Sequence, residues 1–359
     1  MNKVSNEKAR PVQDKDVYML AVETSCDETS VAVVKNGREV LVNLVASQIE
    51  THKAFGGVVP EVASRQHVEC ITLLLEQAIA ESGLQPDELD AIAVTEGPGL
   101  VGALLVGIMA AKALAFALDK PLIGTHHIAG HIYANQLIAD VQYPAIALVV
   151  SGGHTEIVRM ESEGRFEVMG QTRDDAVGEA YDKVARALGF PYPGGPHVDK
   201  AAQASESTVT LPRVWLEEGS YDFSLSGLKS AVLNLVNQSR MKGEEVDKGG
   251  IARGFQESVV EVLVAKAIRA VHEFGAKQLL LCGGVAANGG LRSALTARCE
   301  AESIPLLIPP MKYCTDNAAM IGAAAYVKWT RGEVSDLYIK GEPGMSLEDW
   351  SVEATASRS

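Results

Sequence analysis

Y-M-L-A-V-E-T-S-C-D-E-T-S-V-A-V-V, residues 18–34, decides the fold together with a second stretch of the same plan, A-I-A-L-V-V-S-G-G-H-T-E-I-V-R-M at residues 145–160. In each stretch a short turn of small and polar residues separates two runs of β-branched and other apolar residues. This pattern predicts two strands joined by a tight turn. Because the pattern occurs once in each half of the chain, we predict two lobes of similar design.

Another unit is repeated at residues 91–107 and 278–292, where an apolar strand runs into a glycine-containing turn and then into a helix. Such units are typical of β-α steps in a mainly parallel sheet that is covered by helices. Helical periodicity also predicts helices over residues 64–83 and 251–274. Small residues in the four turns let backbone N–H groups approach a phosphate, so we predict a nucleotide cleft between the lobes. Each glycine taken alone is equally explained by a tight turn.

The length of 359 residues predicts two domains with polar ends. We expect a disordered N-terminal extension (1–16), an N-terminal lobe (17–142), a C-terminal lobe (143–340) and a flexible C-terminal tail (341–359). The formal net charge of -14 disfavours non-specific binding to nucleic acid, because phosphates are neutralised by Lys and Arg. A nucleic-acid partner would therefore need a local basic patch or a helper protein.

Cysteine usage and apolar segments predict a soluble cytoplasmic protein. The five cysteines are odd in number and include no C-x-x-C pair, which favours reduced thiols in a cytoplasmic compartment. The N-terminus lacks the apolar segment of a signal peptide. The most apolar run, residues 104–118, contains Lys112 and is too short to span a bilayer. We therefore predict that this run is a core helix and that the protein has no membrane partner.

The stretch T-H-H-I-A-G-H, residues 125–131, places His127 and His131 four residues apart, on one face of a helix. Two histidines at this spacing bind zinc in proteases of the H-E-x-x-H type, in which a Glu after the first histidine is the general base. Ile128 occupies that position here. The sequence therefore disfavours a zinc protease.

A third ligand is available in Y-C-T-D-N-A-A-M, where Asp316 comes just before an apolar helix. His127, His131 and Asp316 would form a set of two histidines and one carboxylate, which suits Fe(II) or Zn(II) and leaves coordination positions open. Cys314 lies nearby and is interpreted as a bystander. A purely structural histidine pair remains an equal alternative on spacing alone.

Ten motifs in order along residues 18–340 resemble the TsaD (Gcp/YgjD) family, the tRNA threonylcarbamoyladenosine transferases. They are E-T-S-C-D-E-T-S (23–30), G-G-V-V-P-E-V-A-S-R-Q-H (56–67), E-G-P-G-L-V-G-A-L-L-V-G (96–107), H-H-I-A-G-H (126–131), V-S-G-G-H-T (150–155), G-E-A-Y-D-K (178–183), Y-P-G-G-P (192–196), F-S-L-S-G-L-K (223–229), C-G-G-V-A-A-N (282–288) and C-T-D-N-A-A-M-I (314–321). The resemblance implies an α/β fold of the actin/hexokinase/Hsp70-like (ASKHA) type, with two lobes, duplicated mixed-sheet domains and a central nucleotide cleft.

The resemblance also implies the reaction. The threonylcarbamoyl group passes from threonylcarbamoyl-AMP to the N6 amine of the adenine 3′-adjacent to the anticodon, in tRNAs that read codons beginning with A. This is a metal-assisted acyl transfer. The family binds one divalent metal ion, for which we expect Fe(II) in preference to Zn(II), and the ligands by position are His127, His131 and Asp316.

Further roles follow from the family by position. The implied contacts to the donor nucleotide are Val149, Val150, Ser151, Gly152, Gly153, Asp182, Gly195, Asp199 and Asn288. Backbone N–H groups at Ser151–Gly153 would bind an anion, and the carboxylates of Asp182 and Asp199 would accept hydrogen bonds from ribose hydroxyls. For the general base near the amine we consider Asp27 and Glu28.

The family implies protein partners. In bacteria its members work with TsaB, a shorter relative of similar fold, and with the ATPase TsaE, while TsaC makes the donor. The apolar helix at residues 101–118 is a candidate for the TsaB contact. Two other functions stay open on the same fold, namely a small-molecule kinase and a nucleotide-gated scaffold without catalytic activity.

Overall fold

The computed structural model describes residues 15–351. Its strands and α-helices follow in chain order: β1 (Tyr18–Glu23), β2 (Glu28–Lys35), β3 (Glu39–Ser47), α1 (Ile49–Lys53), α2 (Pro60–Ser82), β4 (Ala91–Gly97), α3 (Val101–Leu118), β5 (Leu122–His126), α4 (His127–Tyr133), β6 (Ala145–Val150), β7 (Thr155–Ser162), β8 (Arg165–Gln171), α5 (Val177–Leu188), α6 (Gly194–Ala204), α7 (Ser226–Lys242), α8 (Lys248–Glu273), β9 (Gln278–Cys282), α9 (Gly289–Glu302), β10 (Leu306–Leu307) and α10 (Ala318–Thr330). Short 3-10 turns lie at Pro86–Glu88, Ala134–Leu137, Gly284–Ala287 and Met311–Tyr313.

Within the described residues the strands form two five-stranded sheets with the same topology. The first has the order β3-β2-β1-β4-β5 and the second β10-β9-β6-β7-β8. In each sheet the hairpin strands pair antiparallel and the strands that follow helices pair parallel. The predicted duplication is therefore confirmed. The mixed-sheet domains implied by the family resemblance are confirmed as well. The mainly parallel sheet indicated by the strand–turn–helix units alone is not observed, because two of the four strand pairs in each sheet are antiparallel hairpin pairs.

The first sheet is packed on both faces. Leu20, Val22 and Ile92 of one face lie in an apolar core with helices α2 and α3. Helix α10 covers the opposite face, and Gly322 lies so close to β2 that a Cβ atom there would meet Val34 Cγ2 at 2.8 Å. Small side chains on α10 therefore permit close contact between this helix and the sheet.

The second sheet has its own core. Ile146, Leu148 and Val150 of β6 pack with residues of α5, α7 and α8. Helix α8 is buried along most of its length, which its apolar pattern predicts. The predicted helices over 64–83 and 251–274 correspond to α2 and α8 with small shifts at their ends.

The contacts divide the chain into two compact units, and this division differs from the predicted lobe bounds in three places, namely 48–59, 138–142 and 317–340. Within the described residues, unit 1 comprises 15–47, 60–137 and 317–351, and unit 2 comprises 48–59 and 138–316. Helix α10 belongs to unit 1 because it packs on the first sheet. The lobe bounds 17–142 and 143–340 stay predictions for independently folding domains.

The described parts of the two chain ends make contacts with the rest of the chain. Leu347 and Trp350 are buried, and Trp350 Nε1 donates to the Gly124 carbonyl. The flexibility of the tail stays a prediction. Lys15 and Asp16 form ion pairs, although they belong to the predicted disordered extension. The rest of that extension and residues 352–359 lie outside the described residues.

Helix α3 is longer than the apolar run predicted from the sequence. By its 18 residues and mean hydropathy of 2.2 it is long and apolar enough to cross a membrane, a criterion that core helices also meet, and 33% of it is buried. The expectation that this segment is too short for a bilayer was therefore wrong as stated. One face of α3 lies in the core, and the other exposes Val101, Leu105, Met109 and Phe116.

Candidate functional site

A pair of buried histidines lies on helix α4, which begins where strand β5 ends. His127 is 7% exposed and His131 is 1% exposed, and their ring centroids are 4.7 Å apart. The preceding His126 has a structural role, because its Nδ1 accepts from the N–H groups of Ile128 and Ala129 and caps the helix. The i, i+4 spacing thus brings two imidazoles together on one helix face, as predicted.

The carboxylate of Glu23 fixes the orientation of His127. Glu23 lies at the end of β1 and is completely buried, and its Oε2 is 3.0 Å from His127 Nδ1. Thr95 donates to the same oxygen at 2.7 Å, and Ser25 Oγ lies 3.0 Å from the same ring nitrogen. Since an ionised carboxylate only accepts, His127 donates through Nδ1, which leaves Nε2 with its lone pair for a metal.

Asp316 lies beside the two histidines. It directly precedes Asn317 in the chain. Asn317 is the N-cap of α10, and its Oδ1 accepts from the Met320 N–H at 3.1 Å. The ligand atoms of His127, His131 and Asp316 all lie within 4.8 Å of one another. Two imidazole nitrogens and one carboxylate oxygen at these separations fit a single Fe(II) or Zn(II) ion. The three residues therefore form a possible metal site, as the sequence predicted.

Gly130 allows α4 and α10 to approach each other. A Cβ atom at this position would meet Ile321 Cδ1 at 2.8 Å and Met320 Cγ at 3.2 Å. In the sequence Gly130 counts against a helix, because glycine disfavours helix interiors. In the structure, α10 packs so close to Gly130 that a side chain at this position would clash with it.

The two candidate bases lie at the turn between β1 and β2 and differ in their contacts. Glu28 begins β2, and its Oε1 accepts from Ser47 Oγ of β3 at 3.2 Å. Asp27 is only 8% exposed and makes no hydrogen bond or ion pair within the described part of the chain. A buried carboxylate without internal partners is available for a substrate or for solvent.

The turn after β6 presents backbone donors. Val149 and Val150 are fully buried in the strand, whereas Gly152 and Gly153 are exposed. Ser151 closes the turn, because its N–H donates to the His154 carbonyl at 2.8 Å. The N–H groups of Gly152 and Gly153 make no hydrogen bond within residues 15–351. This turn is therefore suited to binding an anion.

The N-terminus of helix α5 abuts this turn. A Cβ atom at Gly178 would lie 2.8 Å from both Gly152 Cα and the Ser151 carbonyl oxygen. The Gly178 N–H donates to that oxygen at 3.1 Å. The partial positive charge at the start of a helix thus lies next to the free N–H groups of the turn and favours an anion there.

Asp182 and Gly195 lie on neighbouring helices. Asp182, on α5, accepts from the Gly194 N–H at 2.6 Å and so holds the first turn of α6. A Cβ atom at Gly195 would meet nothing within 4 Å, so this position borders open space. Gly195 therefore has room for a ligand beside it.

Asp199 and Asn288 meet at the start of α9. Asn288 is the N-cap, and its Oδ1 accepts from the Leu291 N–H at 2.8 Å. Asp199 accepts from the N–H groups of Gly289 and Gly290 at 3.0 and 3.3 Å. Both side chains are thus held by the same helix N-terminus.

Two residues with a role in these arrangements were not found from the sequence. Glu23 orients His127, and Gln256 of α8 bonds to both Asp199 and Asn288. Glu23 stands in a quoted motif, but nothing in the spacing links it to a histidine 104 positions away. Gln256 carries no local signal, since a glutamine in an amphipathic helix usually lies on the exposed face.

Comparison with known proteins shows the same family and fold. A sequence model described as TsaD, tRNA N6-adenosine threonylcarbamoyltransferase, matches residues 39–323. The tRNA N6-adenosine threonylcarbamoyltransferase of Geobacillus thermodenitrificans is 61% identical over 335 residues, which is 93% of this chain and 98% of that protein. The corresponding protein of Bacillus licheniformis is 60% identical over 337 residues, 94% of this chain and 99% of that protein.

Solved structures that resemble this one show the fold alone. HypF of T. kodakarensis has a TM-score of 0.60 at 16% identity, over 88% of this chain and 48% of that chain. Component A of (R)-2-hydroxyglutaryl-CoA dehydratase from Acidaminococcus fermentans has a TM-score of 0.53 at 14% identity, over 88% of this chain and 99% of that one. The expected actin/hexokinase/Hsp70-like fold is confirmed.

Proposed function

Because the chain belongs to the tRNA N6-adenosine threonylcarbamoyltransferase family, we propose that it transfers threonylcarbamoyl from threonylcarbamoyl-AMP to N6 of the adenine 3′-adjacent to the anticodon. The tRNAs concerned read codons that begin with A. The observation that carries this function is the family match over most of the chain, joined to a His127–His131–Asp316 group that could hold a metal ion. The kinase and scaffold alternatives are not favoured, because relatives of almost full length are transferases.

Unit 2 holds the nucleotide half of the donor in this proposal. The free N–H groups of Gly152 and Gly153 bind the donor phosphate, with the start of α5 behind them. Asp182 and Asp199 accept hydrogen bonds from ribose hydroxyls, and Asn288 contacts the ribose or the adenine edge. Asp199 has room for this role, since a carboxylate offers about four acceptor sites and three are occupied.

We assign the metal to His127 Nε2, His131 and Asp316, and we expect Fe(II). The set of two nitrogens and one oxygen suits this ion and leaves coordination positions open. A bound divalent ion supplies Lewis acidity for acyl transfer. Glu23 keeps the His127 ring in one orientation and one tautomer, which raises the basicity of its free nitrogen.

Asp27 is our choice for the proton acceptor. The exocyclic amine of adenine is a weak nucleophile and loses a proton as the acyl bond forms, so a carboxylate near the amine assists the reaction. Asp27 makes no hydrogen bond to any residue of the described range 15–351, whereas Glu28 accepts from Ser47. The unengaged carboxylate is the better candidate.

The exposed face of α2 and α3 is our candidate for the TsaB contact. Val68 and Leu73 of α2 and Leu105, Met109 and Phe116 of α3 are each between 47% and 77% exposed. A face with so many exposed apolar residues is typical of a protein interface. We also propose that TsaE acts with this pair, that TsaC supplies the donor and that the reaction takes place in the cytoplasm.

The function is tested by mixing the purified chain with TsaB, TsaE, threonylcarbamoyl-AMP and unmodified tRNA, and measuring the modified adenosine by mass spectrometry after digestion. We expect product that requires this chain. Asp27→Asn should retain bound metal and lower the transfer rate by about 10²–10⁴-fold, the usual contribution of a general base. Wild-type protein that is folded and metal-loaded and forms no product would contradict the function.

A further inference from the structure

Gln256 is a buried polar residue for which the proposed reaction has no direct use. It lies in the middle of α8 and is 7% exposed. Its Oε1 accepts from the Tyr181 hydroxyl at 3.3 Å and from Asn288 Nδ2 at 2.9 Å, and its Nε2 donates to Asp199 Oδ1 at 2.9 Å. One amide therefore joins residues from three other segments of unit 2.

These partners allow only one orientation of the Gln256 amide. Rotating the amide by 180° would place Oε1 against the Asp199 carboxylate, which only accepts, and the Gln256 NH₂ group against the NH₂ group of Asn288, which only donates. The position of the amide is fixed as well, since a Cβ atom at Gly290 would meet Gln256 Nε2 at 2.4 Å. The side chain is thus locked by hydrogen bonds on one side and by the backbone of α9 on the other.

Asn288 and Asp199 both depend on this amide for their geometry. Asn288 Oδ1 is engaged by the helix N-terminus, so Gln256 determines where its NH₂ group points. Asp199 Oδ1 is shared between Gln256 and the Gly290 N–H. Removing the Gln256 amide would leave the half-buried Asn288 NH₂ group and an Asp199 carboxylate oxygen each with one partner fewer, and both groups would turn towards other partners or water.

We propose that Gln256 is a positioning residue that orients Asn288 and Asp199 for the nucleotide half of the donor. This inference rests on the proposed function, because it takes those two residues as the nucleotide contacts. Gln256 acts through its neighbours. Its loss should therefore weaken nucleotide binding and raise KM for the donor, with a smaller effect on kcat.

The surroundings of Gln256 determine which substitutions are informative. A cavity of about 270 Å³ borders it, lined by Ala202, Gln203, Arg253, Gln256 and Glu257. Shortening the side chain to alanine would let water from this cavity reach Asn288 and Asp199, and water would replace some hydrogen bonds. Leucine keeps most of the volume without the polar atoms, and glutamate keeps the shape but places a second carboxylate beside Asp199.

The matched control is Gln203→Leu. Gln203 lines the same cavity, is exposed, and makes no hydrogen bond within the described residues. It is the same residue type close to the same helix N-terminus, where a Cβ atom at Gly289 would lie 2.6 Å from its Nε2. If AMP affinity fell only because the cavity was altered, Gln203→Leu would lower it as the Gln256 variants do.

The experiment measures the affinity for AMP by titration calorimetry, and KM and kcat for threonylcarbamoyl-AMP in the complete system, with thermal unfolding of each variant as a check of folding. We expect Gln256→Leu and Gln256→Glu to weaken AMP binding and raise KM by about 10–100-fold, the same range as the loss of a residue that orients a ligating side chain at a metal site. Gln203→Leu should stay within about twofold of the wild type, in line with most surface substitutions.

A double-mutant cycle separates positioning from a general loss of stability. If Gln256 acts through Asn288, Gln256→Leu should have little further effect on AMP affinity in an Asn288→Ala background. Equal AMP affinity in the wild type and in folded Gln256 variants would overturn the inference, even with normal transfer by the wild type. A difference in AMP affinity without any transfer by the wild type would support the inference and contradict the proposed function.

Discussion

Glu23→Gln tests how far one buried carboxylate controls the metal site. The substitution keeps the shape of the side chain but removes the charge that His127 Nδ1 faces at 3.0 Å. We expect metal affinity to fall by about 10–100-fold, because the ring loses its charged partner and its fixed tautomer. Competition with a chelator measures this affinity. The exposed Glu39→Gln is the control, and unchanged metal binding in Glu23→Gln would contradict the role of Glu23.

A second test at the scale of a residue uses pH. Burial raises the pKa of Glu156, which lies on β7 opposite Val149, to about 7. Since this value lies above the unfolded value of about 4.3, ionisation destabilises the folded state, with no effect below about pH 4 and the full effect above about pH 7. Glu156→Gln should therefore increase the free energy of unfolding by about 1–3 kcal/mol at pH 8.

The difference between Glu156→Gln and the wild type should disappear near pH 4.5. Urea unfolding at both pH values measures it. The exposed Glu167→Gln on the adjacent strand β8 is the control for loss of a surface carboxylate. A stability difference for Glu156→Gln that is the same at pH 4.5 and pH 8 would show that ionisation of this residue is not its cause.

Site residues that are marked by a spacing pattern in the sequence could be predicted. Residues whose role depends on contacts distant in sequence could not. His127 and His131 were found because helical spacing alone places them together. Asp316 could be identified only by a further inference, namely that a carboxylate just before an apolar helix lies at the N-terminus of that helix. Glu23 and Gln256 depend on strand register and helix packing, which a single sequence does not contain.

At the scale of the elements, Gly130→Val tests the contact between α4 and α10. A Cβ atom here would lie 2.8 Å from Ile321 Cδ1, so the larger side chain must push the helices apart and displace His131. We expect the free energy of unfolding to fall by about 1–3 kcal/mol, the usual cost of overpacking, together with weaker metal binding. Urea unfolding and metal titration measure the two effects.

Gly227→Val in helix α7 is the matched control for Gly130→Val. A Cβ atom at Gly227 meets nothing within 4 Å, so this variant makes the same glycine-to-valine change within a helix without the clash. If the two variants lose the same stability and the same metal affinity, close packing of α4 against α10 is not what Gly130 provides.

Helices and strands were largely predictable, but the arrangement of the strands was not. Apolar periodicity gave α2 and α8 to within a few residues of their observed ends. Repeated strand–turn–helix units suggested parallel sheets, whereas β1–β3 and β6–β8 are antiparallel meanders. The apolar composition of α10 predicts a helix there. It does not predict that this helix packs on the first sheet, because that packing depends on contacts distant in sequence.

At the scale of the whole molecule, Met109→Glu tests the proposed contact with TsaB. Met109 is 60% exposed in the middle of the apolar face of α3. A charge there costs little in the free protein, but it would be buried without a partner in a complex. We expect an unchanged melting temperature and an affinity for TsaB lowered by at least about tenfold, measured by titration calorimetry.

Met241→Glu is the control for the TsaB contact. Met241 is 88% exposed near the end of α7, in unit 2, and has the same side chain. This variant should bind TsaB like the wild type. Normal binding by Met109→Glu would place the TsaB contact on another surface.

The most direct measurement of the central claim is the metal content and the transfer rate of Asp316→Ala on the same preparation, with His126→Asn as the control. His126 adjoins the metal site but caps α4, a role that asparagine can also perform. We predict that Asp316→Ala is folded, binds less metal and forms little modified adenosine, whereas His126→Asn retains both properties. Full metal content and full transfer in Asp316→Ala would contradict the account.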